Sequence, residues 1–202
     1  MQALKQNRRA DYQDVLNAPA HMVAEVIDGA LHTQPRPAPT HTLASSALGN
    51  DLGNPFQFGR GGPGGWWILD EPELHFGEDV LVSDLAGWRR ERMPRLPDTA
   101  YFTLAPDWVC EVLSPGTRRF DLYEKRPVYA REGVPYLWMV DPLDRGLEAF
   151  ELRDGQWVLI ASLKDDDAVS VPPFEAISFS LSDLWPDGPA QSSETESQLG
   201  KP

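Results

Sequence analysis

The sequence predicts an α/β domain of the α+β kind, a central mixed β-sheet flanked by helices. Three observations predict it. DWVCEVLSP (107–115) and YLWMVDP (136–142) are apolar on both faces, as inner strands of a covered sheet are. Two Asp-Gly pairs, Asp28-Gly29 and Asp154-Gly155, each join two strand-like runs, the strongest short-range hairpin signal. Stretches with helical signals fall between strand-like runs, near residues 40–52 and 121–132, which places helices on at least one face of a sheet.

In chain order, ADYQDVLNA reads as a short helix and MVAEVIDGALHTQP as the first hairpin. The proline-rich PRPAPT ends that hairpin, and Thr40 is the expected cap of a helix through HTLASSALGNDL. GNPFQFGRGGPGG (53–65) lacks the G-K-[ST] of a phosphate loop and leads into a strand instead of a helix, so a flexible loop is expected. Strand signals continue through WWILDEPELHF and EDVLVSDLAGW, and a proline-studded connector follows at RMPRLPDTAYFTLAP. After the inner strand 107–115, Ser114-Pro115-Gly116 breaks the chain. Asp121 and Glu124 have the spacing of a capping box, opening a helix to about Glu132 that Pro127 should bend and Gly133 and Pro135 should end. RGLEAFELRDGQWVLIAS is the second hairpin, and SFSLSDLW closes a single domain spanning 1–186. Residues 187–202 have almost no apolar content and are expected to be a disordered acidic, polar tail.

Length and composition narrow the function. The chain of 202 residues is enough for one domain with a sizeable core. No apolar run reaches the roughly 18–20 residues of a membrane helix, and MQALKQNRRADYQDVL lacks the apolar stretch of a signal peptide. One cysteine, Cys110, excludes an internal disulfide and a cysteine-based zinc site, so the cytoplasm is the default compartment. The net charge of −13 disfavours a general nucleic-acid coat. Local basic clusters remain: residues 88–95 carry four Arg against one Glu, and residues 114–131 carry five Lys and Arg against two acids. Both also suit ordinary solvated faces.

The chemistry starts from an anomaly. Glu111 is a carboxylate inside a strand apolar on both faces, which is costly unless a protein cation or a metal compensates it, or the group stays protonated. Asp84 ends another strand-like run, VLVSD; if the two strands pair, both acids reach one sheet edge. Lys125 follows Glu111 by 14 residues on a returning helix. Two carboxylates and a lysine are what Mg²⁺-dependent phosphodiester hydrolysis needs. Taken singly, Asp84 reads as a strand-end turn residue, Lys125 as an i,i+4 partner of Asp121, and Glu111 as a buried acid in a salt bridge; their joint occurrence favours an ion-binding site.

Here a resemblance becomes specific. VLVSDLAGWRRERMP and DWVCEVLSPGTRRFDLYEKRPVYAREGVPYLWMVDP closely resemble the Uma-two family of endonucleases, within the PD-(D/E)XK, restriction-endonuclease-like superfamily; AEVIDGAL and the following PTH fit its N-terminal signature. The resemblance covers nearly the whole folded chain. It implies a restriction-endonuclease-like core, Asp84 and Glu111 as metal-binding acids, the Val112 carbonyl as a further ligand, and Lys125 as a catalytic lysine on the helix. In the superfamily's plain pattern the lysine stands where this chain has Leu113, and the family's proline before the aspartate is Ser83 here. The implied cofactor is Mg²⁺ or Mn²⁺, and the implied partner is nucleic acid, with DNA foremost.

Weaker candidates surround these three. Glu25 matches a family glutamate or is an edge-strand surface charge. Glu73 could supply another acid, and Ser114 could bind phosphate or the metal's shell, although a turn hydroxyl is the simpler reading. His41 reads as a capping or surface residue before a base, and Tyr129 as packing against the Lys125 stem. Arg89, Arg90, Arg118 and Arg119 could bind backbone phosphates beside the acids, and exposed Trp66, Trp67 and Trp88 would leave room for a homodimer interface. The leading expectation is a metal-dependent endonuclease. The alternatives are a non-catalytic binding or interaction protein that keeps the fold, and a metal-dependent hydrolase of another phosphate ester.

Overall fold

The computed structural model describes residues 8–187. The tail expected from residue 187 onward therefore lies, beyond its first residue, outside the described residues, as do residues 1–7 of the N-terminal stretch. The chain begins with α1 (Tyr12–Leu16), capped by Asp11 in a capping box with Asp14. The first hairpin follows, β1 (Met22–Ile27) and β2 (Ala30–Pro35). Asp28 and Gly29 turn it with φ of 52° and 77°, the left-handed pair a two-residue type I′ turn requires. Then come α2 (Pro39–Leu52), β3 (Trp66–Asp70), β4 (Glu73–Phe76), β5 (Asp79–Val82), β6 (Leu85–Arg89) and β7 (Trp108–Val112). A helix of three parts comes next: α3 (Arg118–Phe120), a π-helical turn (Asp121–Lys125) and α4 (Arg126–Arg131). The chain continues through β8 (Tyr136–Asp141), β9 (Gly146–Arg153), β10 (Gln156–Lys164), β11 (Ala168–Val169) and β12 (Phe179–Ser180), and ends in a 3₁₀ turn (Leu181–Leu184).

Six strands in the order β10-β9-β8-β7-β6-β3 form the central sheet. It is mixed: β7 and β8 run parallel, joined by the α3–α4 crossover, and its other pairs are antiparallel. A second, antiparallel sheet has the order β2-β1-β5-β4. The five residues of β7 are all fully buried. Trp108, Cys110 and Val112 face a core shared with Ala44, Leu48 and Leu52 of α2, which recur at the spacing of one helix face. Val109 and Leu113 face the opposite core, which contains Leu81 of the second sheet and Val128 and Tyr129 of α4. Alternation puts Glu111 on that second face, between the two sheets.

Three local expectations are corrected. Thr40 is not the cap of α2: the helix begins one residue earlier, with Ala38 at the cap position and Pro39 pre-set in the first turn. Residues 53–57 are not loop but a π-helical continuation of α2, and the glycine-rich loop starts after it. The crossover helix begins at Arg118, not at the presumed capping box; Asp121 is buried inside it. Pro127 cannot donate to the carbonyl four residues back. The wide turn just before it, in which the Arg126 N–H reaches the Asp121 carbonyl, absorbs the proline without breaking the helix.

The α2 face also carries a strained charge. Asp51 is half-buried, one carboxylate oxygen lacks a partner, and burial together with the charge of Asp183 raises its pKa to about 6. Its folded pKa therefore lies above its unfolded value of about 3.9. Ionised Asp51 destabilises the fold fully above pH 6, progressively less down to pH 4, and not at all below. Asp51→Asn should accordingly raise stability by about 1 kcal/mol at pH 7, after discounting for partial exposure. Urea denaturation at pH 7 and pH 3.5 checks this: the gain should be present at the first and absent at the second.

Candidate active site

The central acids are set by strand register. β6 pairs antiparallel with β7, Leu85 facing Cys110, Ala86 facing Val109 and Gly87 facing Trp108. One step further along the same register, Asp84 stands opposite Glu111. Directly opposed residues of an antiparallel pair share a face, with Cβ atoms about 5 Å apart. The strand VLVSD expected to pair with the Glu111 strand is in fact split. Its first part is β5 in the second sheet, and Ser83-Asp84 is the link by which the chain enters β6 in the central sheet. Asp84 Oδ2 accepts the Val112 N–H at 2.7 Å, which anchors the carboxylate to the end of β7.

Lys125 gathers the cluster. Its buried ammonium donates to the Val82 carbonyl at 2.7 Å and to Glu111 at 3.0 Å, and lies 3.3 Å from Glu25 and 3.7 Å from Asp121. Glu111 Oε1 accepts from the Tyr129 hydroxyl at 2.5 Å. Glu25 in turn accepts from the Val82 N–H at 2.9 Å and from Gln34 Nε2 at 3.1 Å. Glu25 is thus a buried member of the cluster, not an edge-strand surface charge. The four residues from Asp121 to Lys125, and the four on to Tyr129, aim all three side chains at one place because i,i+4 positions share a helix face.

His41 belongs to the site as well. It is buried at the start of α2, with Nε2 3.3 Å from Asp84 Oδ2 and Nδ1 without a protein partner. Burial lowers the His41 pKa, but the hydrogen bond and charge of Asp84 and the charge of Asp121 outweigh it, and the net shift is upward. Asp84, Glu111, Asp121, Lys125 and His41 line one cleft of about 310 Å³, whose rim is formed by Gln34–Ala38 and Ser114–Thr117.

Other sequence candidates lie differently. Ser114 is at the rim, but its hydroxyl pairs with Thr117, as a turn hydroxyl does. Glu73 is bound to His75 at 2.7 Å and does not line this cleft. Arg89 and Arg90 are not beside the acids. They end β6 some five residues from Asp84, about 17 Å along a strand, and stack on Trp66 and Trp67; Arg90 also bonds the Trp66 and Gln57 carbonyls. Arg118 is ion-paired with Asp141, and Arg119 lies over the exposed Tyr123 ring. The tryptophans expected to be exposed are not: Trp66 and Trp88 are buried and Trp67 is half-buried, its indole N–H on the Met93 carbonyl. Leu113, in the place of the plain-pattern lysine, packs in the core. Sequence reasoning missed Gln34 and Arg36, which line the cleft from a segment that reads only as a hairpin end.

The electrostatics explain what the cleft can hold. Burial raises the pKa of Glu111, reinforced by Asp121 and Asp84 and opposed by Lys125; burial likewise raises Glu25 and Asp121, again opposed by Lys125. Burial would lower Lys125, but Glu111, Glu25, Tyr129 and Asp121 together push it well above its usual value, so it stays charged. Four acids thus surround one ammonium, and the excess negative charge favours a second cation. Among the described residues no three His, Cys, Asp or Glu side chains form a ready-made metal cluster. The donor chemistry nevertheless fits Mg²⁺ or Mn²⁺, which take one or two carboxylates and keep several waters. Asp84 and Glu111 could supply those carboxylates. A strand residue directs its N–H and C=O to the same side, so the Val112 carbonyl faces the Asp84 side too. Removing the ammonium should expose the strain: Lys125→Ala should destabilise by about 3–5 kcal/mol by leaving buried carboxylates uncompensated, and Tyr129→Phe by about 1–2 kcal/mol. Both are read as a lower urea midpoint at constant slope.

Comparison with known proteins agrees with this geometry. No curated protein matches the chain. Among solved structures, the crystal structure of a "putative nuclease belonging to DUF820" from Anabaena variabilis shares the fold, with a TM-score of 0.68 over 86% of this chain and 96% of that one, at 22% identity. The profile of the Uma2 family, described as "Putative restriction endonuclease", matches residues 9–182. The restriction-endonuclease-like α/β core expected from the sequence is borne out, and the chain belongs to the Uma2 family.

Proposed function

We propose that this chain is a metal-dependent endonuclease that hydrolyses phosphodiester bonds of nucleic acid, DNA foremost, with Mg²⁺ or Mn²⁺ as cofactor. The observation that carries the reading is the β6–β7 register, which sets Asp84 opposite Glu111 with Lys125 bound to the latter. The description of the family and the name of the solved neighbour support it. Among the described residues no helix is long and apolar enough to cross a membrane.

When bound, the divalent ion supplies Lewis acidity, lowering the pKa of a water and offsetting charge on the attacked phosphate. The remaining work falls to the chain. Asp84 is held in one rotamer by the Val112 N–H and by His41, so its other carboxylate oxygen is presented without reorganisation. Glu111 is fixed through both oxygens by Lys125 and Tyr129, yet a carboxylate has about four lone-pair sites and can accept further contacts. Lys125 places a fixed positive charge behind the acids, where it favours the additional negative charge of a phosphoryl transition state.

One observation favours the second reading, a binding protein that keeps the fold without turnover. The Lys125 ammonium already has three protein oxygens within 3.3 Å, so it has no N–H left for a nucleophile or phosphate unless one partner moves. Plasmid cleavage separates the two. The wild type should nick plasmid with Mg²⁺ or Mn²⁺ and lose activity with EDTA, and Asp84→Asn and Glu111→Gln should each fall by about a hundredfold or more. Mn²⁺ should also raise the melting temperature of the wild type but not of Asp84→Asn. Equal cleavage by wild type and both variants would mean a contaminating nuclease and sink the reading.

A further inference from the structure

The cleft does not stop at the acids. A second depression of about 290 Å³ adjoins it and shares Val23, Arg36, Glu71 and Val82 with it. The two form one groove, floored beyond the shared residues by the apolar Val15, Pro19 and Met22. Arg36 and Glu71 span the junction as an ion pair at 3.5 Å, with side chains 56% and 47% exposed. Among the described residues, the cations lining this groove are Lys125 and Arg36. Lys125 is buried and committed to four oxygens. Arg118 is held by Asp141, and Arg89 and Arg90 stack on tryptophans at the far end of β6.

We infer that Arg36 is the phosphate-binding residue of this site, and that the groove takes a single strand of nucleic acid, one phosphate on Arg36 and the neighbouring phosphodiester at Asp84 and Glu111. The inference rests on the nuclease reading above for the identity of the ligand. A guanidinium has five N–H donors and binds phosphate in a planar fork; Arg36 uses one donor, on one long contact to Glu71. Duplex binders neutralise many phosphates at once, and their affinity falls steeply with salt. Here one available arginine faces a narrow groove in a chain of net charge −13, which suits a strand held by one phosphate and by contact of a base with the apolar floor. Glu71 competes with the phosphate for Arg36 and keeps the guanidinium over the groove when no ligand is bound.

The test is binding of a fluorescein-labelled oligothymidine and of a labelled duplex, read by anisotropy across a salt series with Ca²⁺ replacing Mg²⁺, beside turnover on the same substrates. The wild type should prefer the single strand, with a slope of log K on log salt of about −0.7, the value for one phosphate contact. Arg36→Gln should flatten the slope and raise KM about tenfold, the loss of about one charge-assisted hydrogen bond, with kcat little changed. Arg36→Lys should recover part of the affinity, and Glu71→Gln should lower KM by freeing the guanidinium. Unchanged affinity and slope in Arg36→Gln, or a wild type that prefers duplex with a slope of several units, would overturn the inference. Binding that follows this pattern in a wild type without turnover would overturn the nuclease reading and leave the role of Arg36 standing.

Discussion

The Lys125 ammonium stands where two sheets and a helix meet. It reaches the Val82 carbonyl at the end of β5, Glu25 on β1, Glu111 on β7 and Asp121 one turn back on its own helix. Without it, three buried carboxyl groups would face one another across the gap between the sheets. Such a cluster is not a source of stability in itself; apolar side chains of equal volume generally serve a fold as well or better. Its effect is to hold negative charge in a fixed place at low dielectric, where a cation or a phosphate is felt strongly. The fold accepts that charge because a single amine ties every acid to a different element.

The rest of the architecture supports that junction. β7 is buried on both faces, so its alternation leaves no freedom in where the Glu111 side chain points. Its parallel partner β8 forces a crossover helix, and that helix brings Lys125 and Tyr129 back over the strand it has just left. α2 closes the opposite core with Ala44, Leu48 and Leu52, and the same helix, one turn before Ala44, delivers His41 to Asp84. The central acids, the lysine and the histidine thus come from four elements that each also build the core.

Much of this was legible in the residues. The two-sided apolar run around Glu111 marks an inner strand, and the Asp-Gly pairs at 28–29 and 154–155 mark hairpins because few other pairs tolerate two left-handed residues in succession. Other features were not legible, for physical reasons. Asp121 with Glu124 has the spacing of a cap, but nothing local says that burial against Lys125 will outweigh capping. His41 beside Thr40 looks like a helix start on the surface; only the packing of α2 on the central sheet buries it. The arginines after Trp88 read as phosphate ligands from charge alone, whereas their partners are ring faces and carbonyls far off in sequence. Arg36 gives no signal of its own, since its position over the groove depends on how the end of β2 folds against Glu71.

The link between the sheets has a consequence for how this chain can vary in length. Only Ser83 and Asp84 separate β5 from β6, and Ser83 is wholly buried. A residue inserted or deleted there would shift the whole of β6 by one position against β7, turning Ala86 and Trp88 out of one core and Leu85 out of the other. The long connector from Arg90 to Pro106, by contrast, returns to the sheet at Asp107 through contacts made at its end, including the one to the Arg89 N–H. Insertions and deletions among Uma2 relatives are therefore expected to gather in that connector and to spare the two-residue joint.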